Sequence, residues 1–171
     1  MKPITALVDG SWNEGIRRSL EGLAATGLVE AIHWVASTED EAPPAEVAGI
    51  AVDHQVAADP GAGSRVAQRV EGARTPYLLQ LRGGGVIDAE PRGVVRLVAA
   101  AEGSGAPLIY GDFVDAAGDD RRSHALADYQ LGTLGDRFDL GPLVLWSVDA
   151  LRRAMAEHGA PAAELRWHGW Y

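Results

Sequence analysis

The chain of 171 residues contains no cysteine. That absence excludes disulfides, thiolate metal sites and cysteine nucleophiles together. It has one lysine, Lys2, beside fourteen arginines, and aromatic residues make up only 6 %. Positive charge is scarce: 15 Lys+Arg stand against 24 Asp+Glu, a formal net charge of −9. Phosphate backbones call for a basic face, so nucleic acid is not the expected partner. A small anionic ligand needs only a local positive site and stays open. No apolar run approaches the roughly 20 residues of a membrane span. The opening MKPITALVDG turns polar too soon for a signal peptide. A cytoplasmic protein is the simplest expectation, and the wealth of Ala, Gly and Arg points to a GC-rich bacterial genome.

Several motifs are missing as well. No GxGxxG opens a helix after the first expected strand, and no GxxxxGK[ST] occurs. A Rossmann dinucleotide site and a P-loop are therefore not expected. There is no HExxH, and the five histidines are scattered. His33 lies inside an expected strand and reads as a packed, hydrogen-bonded residue. There is no GxSxG elbow to anchor a hydrolase triad.

What is present suffices for a folded core. Hydrophobic residues make up 47 % and charged residues 23 %, ordinary values for a globular chain. The length predicts a single domain over residues 1–171. Strands are expected at Ile4 to Val8, Ala31 to Ser37, Val47 to Val52, Tyr77 to Leu81, Pro107 to Phe113 and Pro142 to Ser147. Helices are expected after Ser11 or Asn13, over Ser64 to Ala73, Glu90 to Glu102 and Val148 to His158. AAGDDRR reads as a polar hairpin-like excursion. Alternating strands and helices predict an α/β fold, a three-layer α/β/α sandwich around a mainly parallel, Rossmann-like sheet. In such sheets ligands gather at the carboxyl ends of the strands. Those ends are Asp9-Gly10, Ser37 to Asp40, Asp53-His54, Arg82 to Gly85 and Gly111-Asp112.

The order of segments is similar to that of the family-two glycosyltransferases. The matching stretches are ITALVDGSWNEGIRRSLEGL, VASTEDEAP, DPGAGSRVAQRVEGARTPYLLQL, EPRGVVRLVAAAEGSGAPLIYGDF and FDLGPLVLWSVDALRRA. The set covers nearly the whole chain, and its specificity lies in the order rather than in any one motif. A generic three-layer α/β domain with the same strand order is the plainer account. The resemblance implies the GT-A, nucleotide-diphospho-sugar transferase fold. It also implies a nucleotide-sugar donor and transfer of the sugar to a saccharide or lipid acceptor. A catalytically silent GT-A-like domain, completed by a partner, is the alternative. A related nucleotidyltransferase fits less well, because the Gly-rich Arg/Lys signature expected after the first strand is missing.

One departure from the family pattern carries the most information. Family members hold a divalent metal with an Asp-x-Asp after the fourth strand. Here Arg82 and Gly84 take those two positions, with Gly83 between them. A guanidinium cannot ligate a cation, so no Mg or Mn cofactor is expected through this motif. In one reading Arg82 supplies the positive charge itself, and Gly83 and Gly84 let backbone N–H groups approach phosphate oxygens. In the other, RGGG is a flexible turn in a pseudoenzyme.

The resemblance also places Asp9, Thr38 and Asp40 at the nucleoside corner, with the TEDE stretch alternatively a solvated acidic loop. Arg65 opens the helix before the fourth strand, where a helix N-terminus favours anions. Asp112 ends the expected fifth strand and is a weak alternative metal ligand or sugar contact. His124, Asp128 and Asp139 are candidates for the sugar or acceptor cleft, and Asp112, Asp128 and Asp139 are the weak catalytic candidates. Alternatively, Tyr129 and Phe138 pin a long loop there. The family's general base lies beyond the last matched segment. The sequence ends at Trp170-Tyr171, about where that part would begin, so the expectation is a missing C-terminal part. Glu164 is a poorly spaced substitute. Trp167, Trp170 and Tyr171 would pack on a missing region, a carbohydrate or a second copy of the chain, giving a homo-oligomer.

Overall fold

The computed structural model describes residues 2–9, 11–36, 38, 43–57, 63–82, 86–126 and 139–159. The elements run β1 (Ile4–Asp9), α1 (Glu14–Ala25), β2 (Val29–Ala36), β3 (Glu46–Val47), β4 (Ile50–Val56), α2 (Gly63–Gly72) and β5 (Tyr77–Leu81). They continue with α3 (Pro91–Ser104), β6 (Leu108–Ile109), β7 (Phe113–Ala117), β8 (Asp120–His124), β9 (Leu143–Ser147) and α4 (Val148–His158). Seven strands form one sheet in the order β3-β4-β2-β1-β5-β9-β6. β4, β2, β1 and β5 are parallel, so the sheet is mainly parallel as expected.

Period-two alternation divides the strands between two cores. Ile4, Ala6 and Val8 of β1 pack with Leu79 and Leu81 of β5 beneath α1 and α3. Leu7, Leu78, Val144 and Trp146 face α2 and α4 instead. Helices on both faces of the sheet complete the three-layer α/β/α sandwich. The two polar residues this forces inward are bonded. Thr5 and Thr75 share a hydroxyl–hydroxyl bond of 2.8 Å, and Trp146 Nε1 donates to Gln80 Oε1 at 3.4 Å. α1 begins where expected: Asn13 Oδ1 accepts from the Ile16 N–H at 2.9 Å.

Two expectations need correction. The apolar run at Val47 to Val52 is not one strand. Ala48 (φ 50°) and Gly49 (φ 79°) turn it into the β3–β4 hairpin, and β4 extends to Val56. Two successive left-handed residues are what a tight two-residue hairpin turn requires. The expected strand at Pro107 to Phe113 shrinks to Leu108–Ile109, and Phe113 starts the separate β7–β8 hairpin. A direction that the sequence left open is also settled: β9 enters the mainly parallel sheet antiparallel, between β5 and β6. Its first residues, not its last, therefore lie at the carboxyl edge of the parallel strands. No helix among the described residues is long and apolar enough to cross a membrane.

Candidate functional site

The register of β1 against β5 pairs Val8 with Leu81. The next residues, Asp9 and Arg82, thus leave the sheet side by side at its carboxyl edge. Alternation puts both on the face covered by α2 and α4. Two ion pairs form there.

In the first pair, Arg69 reaches across from α2, and its Nη2 donates to Asp9 Oδ1 at 2.8 Å. Arg69 is only 6 % exposed and Asp9 23 %. One carboxylate oxygen of Asp9 is thereby fixed by a buried cation. His33 on β2 lies on the same face, its Nδ1 4.0 Å from Asp53 Oδ2. Burial holds the His33 pKa below its ordinary value. The Asp53 carboxylate opposes that shift and the Arg69 guanidinium adds to it.

The second pair is looser. The Arg82 N–H donates to the Pro142 carbonyl at 2.8 Å, which continues the β5–β9 ladder by one residue. Arg82 is therefore held by its backbone at the end of the sheet. Its Nη1 is buried without a hydrogen-bond partner and lies 3.7 Å from Asp139 Oδ1. That distance allows a charge interaction and is too long for a good hydrogen bond. Asp139 is 69 % exposed, and its Oδ1 accepts from the Gly141 N–H at 3.0 Å. Leu140, fully buried in the α2–α4 core, anchors this turn from within. Gly141 has φ 81°, and a Cβ there would sit 2.8 Å from Phe113 Cδ1. Only glycine satisfies both the turn and the packing of Phe113 against it.

The remaining expected residues are distributed less centrally. Arg65 Nη1 donates to Gln68 Oε1 at 3.1 Å on the surface of α2. Thr38 is exposed in a bend beyond β2. Asp112 does not end a strand, because β6 stops at Ile109; its Oδ1 accepts from the Leu126 N–H at 2.7 Å and ties the base of the hairpin. His124 is engaged within that hairpin. Its ring stacks on Phe113 at 4.5 Å between centroids, and Nε2 lies 2.9 Å from Asp115 Oδ2. Asp40, Gly83, Gly84, Asp128, Glu164 and the aromatic residues Trp167, Trp170 and Tyr171 lie outside the described residues. The structure thus brings Asp9, Arg82 and Asp139 to one edge, while Asp112 and His124 are engaged at and within the hairpin whose Phe113 packs on Gly141.

Arg69 escaped sequence reasoning altogether. A lone arginine in an amphipathic helix reads as solvated surface. The available signal was its place between the apolar Val66 and Val70, on the side that α2 buries.

Of the carboxylates described at this edge, Asp9 and Asp139 each have an oxygen engaged by another donor. Among the described residues no group of three or more His, Cys, Asp or Glu is placed to hold a metal.

No family model matches the chain, and no curated protein matches it. Among solved structures it is similar to CMP:2-keto-3-deoxy-manno-octonic acid synthetase complexed with CTP. The TM-score is 0.55 at 9 % sequence identity, over 90 % of this chain and 78 % of that chain. At that identity the likeness is one of architecture: the chain has a mainly parallel, Rossmann-like α/β fold like that of the synthetase.

Proposed function

We propose that this chain binds a nucleotide-diphospho-sugar at the carboxyl edge of its sheet and transfers the sugar to a saccharide or lipid acceptor without a metal. The observation that carries this reading is the Arg82 guanidinium, held at the end of β5 with a buried Nη1 that has no hydrogen-bond partner. An unsatisfied buried donor on a cation is costly unless an acceptor arrives, and a phosphate oxygen is a fitting one. The sequence resemblance to family-two glycosyltransferases supplies the substrate class.

In the transfer, an acceptor hydroxyl oxygen forms a bond to the anomeric carbon as the bond from that carbon to the diphosphate oxygen breaks. The hydroxyl proton passes to a general base, and negative charge grows on the departing nucleoside diphosphate. A fixed guanidinium beside that diphosphate stabilises the developing charge, the task a cation performs elsewhere. A bacterial cytoplasmic setting belongs to the same proposal.

The likeness to a synthetase complexed with CTP favours a second reading, nucleotidyl transfer from a nucleoside triphosphate. The sequence that follows β1, Gly10-Ser11-Trp12, lacks the arginine or lysine which that chemistry needs around its phosphates.

Calorimetric titration with UDP- and GDP-sugars and CTP, with and without Mn²⁺, tests both. The expected result is sugar-nucleotide binding that ignores Mn²⁺ and weakens at least tenfold in Arg82→Ala. Binding that requires Mn²⁺, or that survives Arg82→Ala unchanged, overturns the proposal. Binding of CTP alone moves the assignment to the second reading.

A further inference from the structure

Asp139 stands 3.7 Å from the guanidinium that the proposed function assigns to the diphosphate, and its carboxylate is 69 % exposed. Its Oδ1 is held by the Gly141 N–H at 3.0 Å, and Leu140 fixes the turn from inside the core. The carboxylate is held by the Gly141 bond at this distance from Arg82 rather than in direct contact with it. It remains a second, negative recognition group beside the positive one.

Such a pair reads a particular pattern of chemistry. Arg82 donates to an anionic oxygen. Asp139 repels a second one at short range and accepts a hydrogen bond from a hydroxyl. A phosphoester with a neighbouring sugar hydroxyl satisfies both groups. A bare terminal phosphate satisfies Arg82 alone and carries extra negative charge toward Asp139. We infer that Asp139 is a specificity residue that favours the sugar-bearing nucleotide over the free nucleoside diphosphate, by pairing with a sugar hydroxyl and repelling the unsubstituted phosphate. The same contrast would help discharge the product, because breaking the sugar–phosphate bond removes the hydroxyl partner and adds charge in one step. This inference rests on the proposed role of Arg82 and extends it to the donor's sugar.

The experiment compares UDP-glucose with UDP, and GDP-mannose with GDP, by titration calorimetry of the full chain and of Asp139→Asn. Asparagine keeps an oxygen for the Gly141 N–H and removes the charge. Asp139→Ser, with a shorter oxygen acceptor, is the second variant should the first fold poorly. UDP and GDP are expected to bind about threefold to fivefold more tightly in Asp139→Asn, the size of one exposed charge contact. The sugar nucleotides are expected to bind more weakly by a similar factor, so the preference for the sugar-bearing ligand falls about tenfold. An equal change in both members of each pair, or no change in either, overturns the inference. Arg82→Ala keeps the two claims separable. Ligand binding that depends on Arg82 while the preference is the same in Asp139→Asn removes the inference alone. Binding that ignores Arg82, or no binding by the unaltered chain, removes the underlying reading and the inference with it.

Discussion

Two ion pairs sit at the same sheet edge and differ in almost every physical respect. Arg69–Asp9 is short, at 2.8 Å, and its cation is 6 % exposed. Arg82–Asp139 is 3.7 Å apart, its cation is 29 % exposed, and its anion is held by a different donor. The first pair is closed: each charge compensates the other out of water, and its work is to fix Asp9 against α2. The second is open: its charges stand farther apart, its cation is more exposed, and its anion bonds to the Gly141 N–H. The contrast teaches where to look for a ligand. A short, buried pair resists exchange, whereas a loosely paired, more exposed cation at the sheet edge gains when an anion arrives.

The largest effect that would break or sharpen this contrast lies in stability. Arg69→Ala is expected to destabilise the fold by about 3 kcal/mol, because it leaves the Asp9 carboxylate partly desolvated and uncompensated. Arg82→Ala is expected to cost less, about 1 kcal/mol or under, because this pair is long and its anion is largely solvated. Urea unfolding of the two variants side by side checks this, and equal losses would erase the distinction.

Gly141→Ala comes next. Its φ of 81° and the clash with Phe113 predict a loss of about 2 kcal/mol. The Asp139 turn should be disturbed with it, so nucleotide-sugar preference should fall alongside the melting temperature.

A smaller effect concerns pH. Burial lowers the His33 pKa below its ordinary 6.5, so the unfolded chain takes up the proton first as pH falls. Stability that is fully present above about pH 6.5 should decline as the solution is acidified through the depressed folded value. His33→Gln should flatten that slope in pH-dependent unfolding. Because Arg69 contributes to the depression, Arg69→Ala should raise the His33 pKa in an NMR titration, and Arg82→Ala should leave it unmoved.

Much of the fold was legible because local patterns and burial agree. Tyr77–Leu81 and Val148–His158 have the bounds that their apolar spacing and flanking residues predict. The failures have physical causes. Ala48-Gly49 hides a hairpin turn inside an unbroken apolar run, since alanine gives no turn signal. An all-apolar strand carries no record of its direction, so the antiparallel entry of Leu143–Ser147 waited for the structure. At the site, Arg82 stood out by its position after the fourth parallel strand, and Asp139 as an acid before the last one. Their approach across the sheet edge is set by β9 pairing with β5, a tertiary fact that spacing does not encode. Arg69 stayed hidden because helix α2 buries a face on which a single arginine resembles its solvated neighbours.

The most direct test of the open-pair account is the arginine side-chain ¹⁵N–¹H spectrum, with signals assigned through Arg82→Lys and Arg69→Lys, recorded while UDP-glucose is added. The account predicts that the Arg82 guanidinium signal shifts and sharpens as the ligand saturates, while that of Arg69 stays in place. Movement of the Arg69 signal with Arg82 silent, or binding that leaves both unmoved, would contradict it.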